Sequence, residues 1–370
     1  MRLLEKKAKV WKEVILRGPL WCSGAEGSPS PLCKGLGATV TSKSMSARLS
    51  DYDYDLPREL IAQRQAGHRD DSRMMVLNRV TQTIEHRKFR ELKTFLQQGD
   101  LLVLNDTRVL PARRFSDNGA IEFLFLERLG PRRWRCFVTP GRKMRVSATA
   151  TIDGAMLCVE AITPDGERIV VLNADIDLYS GGLMPLPPYI RRESEPEDPS
   201  RYQTVFAHAP GALAAPTAGL HFTPEILSKI PHTFVTLHVG TGTFLPVRSE
   251  NITEHRMHSE RFSISASAAG RINSAGRIVA VGTTVVRVLE SAERTDGNLV
   301  AQEGSTDIFI YPPYQFRAVD VLLTNFHLPR STLLMLVSAF AGREFLLSAY
   351  QEAIREGYRF YSYGDCMLIL

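Results

Sequence analysis

The sequence predicts an α/β protein in which a mixed-sheet, barrel-like core domain is interrupted by a small antiparallel β domain. Apolar strand-like runs alternate with amphipathic helices in the last third of the chain. Short alternating strands separated by Asn-Gly and Asp-Gly turns occupy residues 113–181. The length of 370 residues exceeds what one core usually holds, at about 150 residues per domain. We therefore expect a core from residues 45–112 and 182–370, with residues 113–181 as an inserted domain.

The elements follow in chain order. A helix opened by Pro57 is predicted at 57–66, and apolar runs predict buried strands at 101–105, 233–239, 277–281 and 319–324. The insert carries strand patterns at 121–127, 134–138, 156–161 and 168–172. Helices are predicted at 284–293 and 343–356, the second ending at Gly357.

Composition excludes several classes of protein. Apolar residues make up 44% and charged residues 23% of the chain, which is typical of a globular protein. The longest uncharged apolar stretch, 333–342, is about half of the ~20 residues that span a membrane. The five cysteines are far apart without a Cys-x-x-Cys pair, which argues against a disulfide scaffold or zinc knuckle and favours a reducing compartment.

The net charge of +5 comes entirely from residues 1–44, so it says little about the body of the protein. This segment is rich in Gly, Ser, Pro and Thr over 24–43, which predicts a flexible basic extension. Lys12, Glu13 and Arg17 interrupt any apolar run of a secretory signal. We expect the working chain to open at Met45 and the extension to be dispensable.

Polar residues follow three of the predicted strands at their carboxyl ends. Gly240-Thr241-Gly242 follows Val239, Gly282-Thr283-Thr284 follows Val281, and Thr324-Asn325-Phe326-His327 follows Leu323. Plain turns and helix caps are the alternative for each segment taken alone. Strand ends of an open α/β sheet can converge on one crevice, and a shared polar pocket explains all three segments more simply.

Two further segments carry histidines. Residues 214–222 contain Thr217, Gly219 and His221, where a tight turn competes with a ligand loop. Residues 254–260 contain His255 and His258 at a spacing that differs from the His-Glu-x-x-His pattern of zinc hydrolases. A polar or substrate-binding loop is therefore favoured over a metal site.

Residues 113–145 concentrate basic side chains with Trp134 and Phe137 between them, which suits phosphate contacts and base stacking. The alternative is a solvated β face balanced by the acidic stretch after Asp153. The candidate tRNA-binding residues are Arg113, Arg114, Arg132, Arg133, Arg135, Arg142, Lys143 and Arg145.

Taken in order, these segments resemble the S-adenosylmethionine:tRNA ribosyltransferase-isomerase family of queuosine biosynthesis. The resemblance covers about 45–370, and 1–44 have no counterpart in it. Its motifs include Asn105-Asp106-Thr107-Arg108-Val109, Met184-Pro185-Leu186-Pro187-Pro188-Tyr189, and the runs 214–222, 236–248, 255–260, 282–284, 307–312, 320–331 and 358–365.

The resemblance implies a transferase and isomerase with an α/β core and an inserted β domain. Such an enzyme moves the ribosyl part of S-adenosylmethionine, rearranged to an epoxycyclopentanediol, onto 7-aminomethyl-7-deazaguanine at the wobble position of a tRNA with a GUN anticodon. Adenine and methionine leave, and the product is epoxyqueuosine-tRNA. It also implies that S-adenosylmethionine is a consumed co-substrate and that no metal or redox cofactor is used. We expect a cytoplasmic monomer without a membrane partner.

This reaction assigns roles to the candidate residues. Arg108 or Arg287 would pair with the methionine carboxylate, and Asp106 or Glu290 with its ammonium group. The base that removes the proton beside the sulfonium would be a neutral histidine, where His238 and His327 rank ahead of His221 and His258. Another of these histidines or Asp365 would protonate adenine, and Phe326, Tyr361 and Tyr363 would stack on the unstacked base. The remaining candidate substrate-binding residues are Thr217, Gly219, Gly240, Thr241, Gly242, Thr283, Thr284 and Asn325.

Two rival classes remain open at this point. A metal-dependent hydrolase would use His238, His255 and His258, and would lose activity in chelator. A non-catalytic RNA-binding protein would use the basic residues of 113–145 and would bind tRNA without releasing adenine.

Overall fold

The computed structural model describes residues 47–240, 242, 247 and 249–370. The predicted extension at 1–44 and the candidate residue Thr241 lie outside the described residues.

A nine-stranded mixed sheet organises the core. Four neighbouring strands (β12, β3, β14 and β18) are parallel to one another, so their carboxyl ends meet at one edge. In spatial order the strands are β17 (Gln302–Thr306), β13 (Glu260–Ile264), β12 (His232–Leu237), β3 (Asp100–Asn105), β14 (Arg277–Val281), β18 (Val321–Asn325), β19 (Cys366–Ile369), β1 (Arg73–Asn78) and β2 (Thr83–Lys88).

Apolar side chains on both faces of this sheet build two cores. Leu101 and Val103 of β3 pack on one face, while Leu102 and Leu104 pack on the other, as the two-residue strand period requires. Both faces are covered, which explains why the parallel strands are continuous apolar runs. The helices are α1 (Asp198–Arg201), α2 (Pro224–Leu227), α3 (Ala266–Asn273), α4 (Thr283–Ser291), α5 (Thr332–Ala341) and α6 (Arg343–Arg355).

A separate six-stranded antiparallel sheet carries its own core around Phe123, Phe125 and Trp134. The chain enters and leaves it side by side, because Arg113 and Leu183 form an antiparallel bridge. In spatial order its strands are β5 (Arg113–Phe115), β6 (Glu122–Gly130), β7 (Arg133–Thr139), β10 (Arg168–Leu172), β9 (Ala155–Ile162) and β8 (Thr149–Ile152). Two strand pairs complete the fold: β4 (Thr107–Val109) with β11 (Ala209–Ala212), and β15 (Arg294–Thr295) with β16 (Asn298–Leu299).

The predicted α/β class with a second antiparallel sheet is confirmed. The helix predicted at 57–66 is wrong, since only a 3₁₀ turn forms at Arg58–Leu60. The next residues are extended because Ile61 pairs with Phe360, with hydrogen bonds from Ala62 N to the Phe360 carbonyl and from Phe360 N to the Leu60 carbonyl. Tertiary strand pairing thus overrides the local pattern, while the exact domain limits at 113 and 181 stay a prediction.

Among the described residues, no single helix is long and apolar enough to cross a membrane. Only α5 and α6 taken together reach that length and composition, and the pair is bent by 113°.

Candidate active site

A cavity opens at the edge where the parallel strands of the core end. The empty space in it, with the mouth that is open to solvent included, is about 710 Å³. No Asp, Glu, Lys or Arg occurs among the described residues that line it. The lining residues are Tyr189, Ala214, Ala215, Pro216, Thr217, Ala218, Val239, Gly282, Thr283, Thr284, Thr324, Asn325, Phe326, His327, Leu328, Ser331, Leu333, Tyr361 and Ser362.

The three predicted strand ends meet in this cavity. Val239 follows β12, Gly282 follows β14, and Asn325 ends β18. Gly282 donates its N–H to the Leu323 carbonyl at 2.8 Å and turns the chain into α4 with a φ of 92°. That φ favours glycine. α4 and α5 both begin at the cavity, since Thr283 and Thr284 of α4 and Ser331 and Leu333 at the start of α5 line it.

His327 is the one candidate base that lines the cavity among the described residues. Its Nε2 lies 2.9 Å from Thr324 Oγ1, and Tyr54 donates a hydrogen bond to its carbonyl oxygen. Burial lowers the pKa of His327 to about 3. The imidazole is therefore neutral near pH 7, and burial makes it a weaker base than an exposed imidazole.

His221 does not line the cavity but contacts Asn325, which does. Its Nδ1 is 2.9 Å from Ser72 Oγ, and its Nε2 is 3.2 Å from Asn325 Oδ1. Asn325 in turn donates from Nδ2 to the Tyr361 carbonyl at 3.0 Å, which fixes the amide orientation. Burial lowers the pKa of His221 to about 4, so a neutral, Nε2-protonated ring completes the chain.

An aromatic pair forms another wall. Tyr189 and Tyr361 have ring centroids 4.7 Å apart, and the Tyr189 hydroxyl lies 2.5 Å from Ser362 Oγ. Tyr361 has a φ of 72°, which is uncommon for a residue with a side chain. The Asn325 amide and the N–H of Gly364 both donate to its carbonyl and hold it there.

His238 lies beside this cavity without lining it. Side chains alternate along β12 and its continuation, so Val239 faces the cavity while His238 faces the β4–β11 pair. Its Nδ1 is 2.8 Å from Thr107 Oγ1, and its ring fills the space beside Gly211. Burial, followed by Arg261, lowers the pKa of His238. Its role as a base stays a prediction.

Arg287 is committed to a buried ion pair. It bonds to Glu260, and both residues are nearly inaccessible. The other Glu260 oxygen accepts the N–H of Gly240 at 2.8 Å. Glu290, the alternative partner for an ammonium group, accepts backbone N–H groups of Arg317 and Ala318. These contacts connect loops to α4. Neither the Arg287 nor the Glu290 side chain lines the cavity.

The remaining candidates are not brought to the cavity. Asp365 accepts the N–H groups of Arg73 and Arg359, and Tyr363 packs on Tyr202. Asp106 accepts a hydrogen bond from Thr236 Oγ1 at 2.6 Å, and Arg108 is exposed on β4. Gly219 contacts Phe206 and Thr204, where a Cβ would come within 2.8 and 2.9 Å of their side chains. Gly242 lies against the exposed His258.

The basic residues of the insert divide into two groups. Four of the eight candidate residues pair with carboxylates, several of which belong to the acidic stretch after Asp153, as expected for a solvated β face. The pairs are Arg113–Glu122, Arg114–Asp153, Arg133–Glu160, and Arg135 with Glu127 and Glu167. Trp134 is buried against Phe125 and Tyr179 and offers no stacking surface. Arg132, Arg142, Lys143 and Arg145 are exposed and lie in no ion pair within the described part of the chain.

The 254–260 loop shows no metal geometry. His255 packs against Phe309, and His258 is exposed. Within the described ranges, no group of three His, Cys, Asp or Glu side chains is placed to hold a metal ion. Burial and His258 lower the pKa of His255.

Sequence reasoning missed Tyr189 and Ser362 as cavity residues. Tyr189 and Ser362 are 173 positions apart, and no local pattern indicates that they meet. Thr324 belongs to a segment that was predicted to reach the pocket, but no role was predicted for it; the structure shows its contact with His327.

Fold and cavity together define an α/β protein with a neutral small-molecule crevice at the carboxyl ends of parallel strands. The family model described as "Queuosine biosynthesis protein" matches residues 49–369. The chain therefore belongs to the queuosine biosynthesis protein family.

Relatives and a solved structure agree with this family. The proteins named S-adenosylmethionine:tRNA ribosyltransferase-isomerase from Symbiobacterium thermophilum and Moorella thermoacetica are each 50% identical to this chain, over 347 and 343 residues. Each alignment covers 87% of this chain and 100% of the relative. The crystal structure of S-adenosylmethionine tRNA ribosyltransferase from Thermotoga maritima is 40% identical, with a TM-score of 0.50, over 86% of this chain and 100% of that chain.

Proposed function

We propose that this chain is an S-adenosylmethionine:tRNA ribosyltransferase-isomerase. It transfers the ribosyl part of S-adenosylmethionine to the aminomethyl group of 7-aminomethyl-7-deazaguanine in tRNA and rearranges it to an epoxycyclopentanediol. The amine nitrogen loses a proton as it bonds to the ribosyl carbon, adenine takes up a proton as it leaves, and methionine departs with the C–S bonding pair. The observation that carries this proposal is the neutral crevice that contains His327, in a chain of this family.

The crevice suits a ligand that combines an aromatic base, a sugar and a sulfonium. Its walls present hydroxyls of Thr217, Thr283 and Ser362 together with the Tyr189–Tyr361 ring pair. The rings provide an apolar face for a nucleobase, and the hydroxyls provide donors and acceptors for a sugar.

His327 is the base that this geometry favours. The proton on the carbon beside the sulfonium is acidified by the positive sulfur, and a neutral imidazole in the cavity accepts it. Thr324 Oγ1 orients the ring through its contact with Nε2. We propose that Nδ1, for which the described residues offer no hydrogen-bond partner, accepts the proton. His238, one residue from the cavity lining, stays the second candidate.

The tRNA would contact the exposed cations of the insert. Arg142, Lys143 and Arg145 follow β7 close together, and Arg168 ties this loop to β10 through the Gly141 and Met144 carbonyls. Burial raises the pKa of Glu167, at the same end of the insert, and the charge of His258 in the core is near enough to oppose that rise. This end of the insert therefore lies beside the core, where a bound anticodon loop would bridge the two sheets.

The finer features of the substrate follow from the same proposal. We propose a tRNA with a GUN anticodon, whose wobble base leaves the stack to enter the crevice, and a monomeric enzyme that acts in the cytoplasm. Modification of GUN-anticodon tRNAs but not of others, and one chain per particle in sedimentation, are the expected results.

One assay tests the activity and separates it from its rivals. The protein is incubated with S-adenosylmethionine and tRNA that carries 7-aminomethyl-7-deazaguanine, and free adenine and the mass of the modified nucleoside are measured. We expect adenine in equal amount to modified base, in chelator as well as without it. Binding of tRNA without adenine would indicate an RNA-binding protein, and activity that chelator abolishes would indicate a metal enzyme; either result overturns the proposal.

A further inference from the structure

The start of α4 presents unused hydrogen-bond donors to the cavity. α4 has nine residues and no side-chain cap, and Val285 and Val286 are the first residues whose N–H groups return to Gly282. The N–H groups of Thr283 and Thr284 have no acceptor among the described residues. Free N–H groups at a helix N-terminus favour an anion.

Two hydroxyl groups at the same place also lack partners. Thr283 is 5% exposed and lines the cavity, yet its hydroxyl has no hydrogen-bond partner within the described part of the chain. Thr284 Oγ1 is buried and likewise unpartnered. Buried hydroxyls are normally hydrogen-bonded, so the unpartnered Thr284 Oγ1, next to the cavity-lining Thr283, points to a ligand that accepts hydrogen bonds.

The other helix that begins at the cavity differs in this respect. Ser331 caps α5 by accepting the N–H of Leu334 at 3.2 Å and donating to the Leu328 carbonyl at 2.7 Å. The Ser331 hydroxyl is therefore satisfied within the protein, while the hydroxyls of Thr283 and Thr284 are not. At the start of α4 the unpartnered N–H groups and the unpartnered hydroxyls occur together.

An anion in this cavity would have no side-chain cation to bind. No Lys or Arg lines it among the described residues, and Arg287, on the same helix, is committed to Glu260.

We propose that the N-terminus of α4, through the N–H and hydroxyl groups of Thr283 and Thr284, binds the carboxylate of the methionine part of S-adenosylmethionine. This inference rests on the proposed function and assigns one end of the substrate to one end of the crevice. With the carboxylate at Thr283, the adenosine part extends toward His327 and the Tyr189–Tyr361 pair.

The test compares two ligands that differ only in this carboxylate. Binding of S-adenosylmethionine and of decarboxylated S-adenosylmethionine, which keeps the sulfonium and the ammonium group, is measured by calorimetry. The proteins are the wild type, Thr283→Val, Thr284→Val and the double variant. Thr283→Ser retains a hydroxyl, and Thr149→Val makes the same change in the inserted sheet.

We expect the wild type to prefer the carboxylated ligand and the double variant to lose at least ~10-fold of that preference, since hydrogen bonds to a charged group contribute about 1.5–3 kcal/mol. Affinity for the decarboxylated ligand should change less than ~2-fold. Thr283→Ser should retain the preference, and Thr149→Val should match the wild type.

Equal weakening of both ligands by the double variant, or an unchanged preference, would overturn this subsite. The adenine-release assay separates that failure from failure of the proposed function. A wild type that releases adenine while its variants keep the ligand preference refutes only the subsite. A wild type that neither binds S-adenosylmethionine nor releases adenine refutes the activity itself.

Discussion

The two sheets of this protein place their charged residues in opposite ways. The crevice of the nine-stranded sheet has no Asp, Glu, Lys or Arg among its described lining residues and presents hydroxyls, an amide and one neutral histidine. The inserted sheet carries arginines on its surface, most of them paired with carboxylates. Local charge density in the sequence therefore marks a surface, while the candidate reaction site lies where charge is absent.

The same contrast separates two kinds of ion pair. Arg287–Glu260 is inaccessible to solvent and joins α4 to β13 and the Gly240 loop. Arg133–Glu160 joins neighbouring parts of the insert with both side chains about half exposed, at 50% and 46%. A buried pair is sensitive to the loss of one partner, and an exposed pair contributes little.

The largest expected effect falls on catalysis. His327→Gln should lower the single-turnover rate of adenine release by about 10²–10⁴-fold, the usual range for loss of a general base. His238→Gln should have a smaller effect, because its ring faces Thr107 and lies outside the cavity lining. Rapid-quench measurement of adenine checks both variants, and a larger loss for His238→Gln would transfer the role of base to it.

The second prediction concerns the two ion pairs. Arg287→Met should lower the free energy of unfolding by about 3–5 kcal/mol, because Glu260 stays buried without this cation. Arg133→Met, the matched change in the insert, should cost about 1 kcal/mol or less. Urea denaturation measures both, and similar losses in the two variants would show that burial does not distinguish these pairs.

The third prediction concerns pH and sharpens the contrast, since the insert (residues 113–181) contains no histidine. Burial lowers the pKa of His221 to about 4, while the unfolded residue titrates near 6.5. Between these two pH values the unfolded state binds more protons than the folded state. The contribution of His221 to stability is therefore fully present above about pH 6.5 and falls as the pH decreases.

The protonation of His221 in the unfolded state should therefore lower the free energy of unfolding by about 2 kcal/mol as the pH decreases from 8 to 5. Urea denaturation at these two pH values should show a smaller pH dependence for His221→Gln than for the wild type. The range stops at pH 5 because two carboxyl groups titrate at lower pH. Hydrogen bonds and charge from Arg277 lower the pKa of Asp100 despite its burial, and Arg192 does the same for Asp198. Protonation of these two groups would lower the stability of the protein and obscure the effect of His221. An identical slope in variant and wild type would contradict a neutral buried His221.

The smallest expected effect is on tRNA binding. Changing Arg142, Lys143 and Arg145 together to Ala should raise the KM for tRNA by about 10-fold and weaken its salt dependence, because each phosphate contact releases counterions. Arg133→Ala with Arg135→Ala is the control, since both side chains already face carboxylates. An equal rise in KM for the control would mean that paired arginines also contact the tRNA.

The sequence was sufficient to predict the crevice but not its details. Val281-Gly282-Thr283 and Leu323-Thr324-Asn325 combine an apolar strand with polar residues at its end, so local pattern and parallel pairing together predict where they meet. The direction of His238 depends on strand alternation beyond the regular end of β12, and the partner of Arg287 comes from a strand 27 positions earlier. Neither contact has a local signature.

The failed helix at 57–66 and the missed Tyr189 have the same physical origin. Ile61 pairs with Phe360, and Tyr189 meets Ser362, both through the segment near the carboxyl end of the chain. Long-range contacts with residues 358–363 thus determine the extended conformation after Leu60 and bring Tyr189 into the cavity wall. Such contacts follow from the assembled core and not from periodicity.

The central claim is that the neutral crevice at the strand ends holds S-adenosylmethionine, and a crystal structure with this ligand bound tests it most directly. We predict electron density with the carboxylate at the N-terminus of α4, the sulfonium beside His327 and the base near the Tyr189–Tyr361 pair. Density at the 254–260 loop or on the inserted sheet, with the crevice holding only water, would contradict the account.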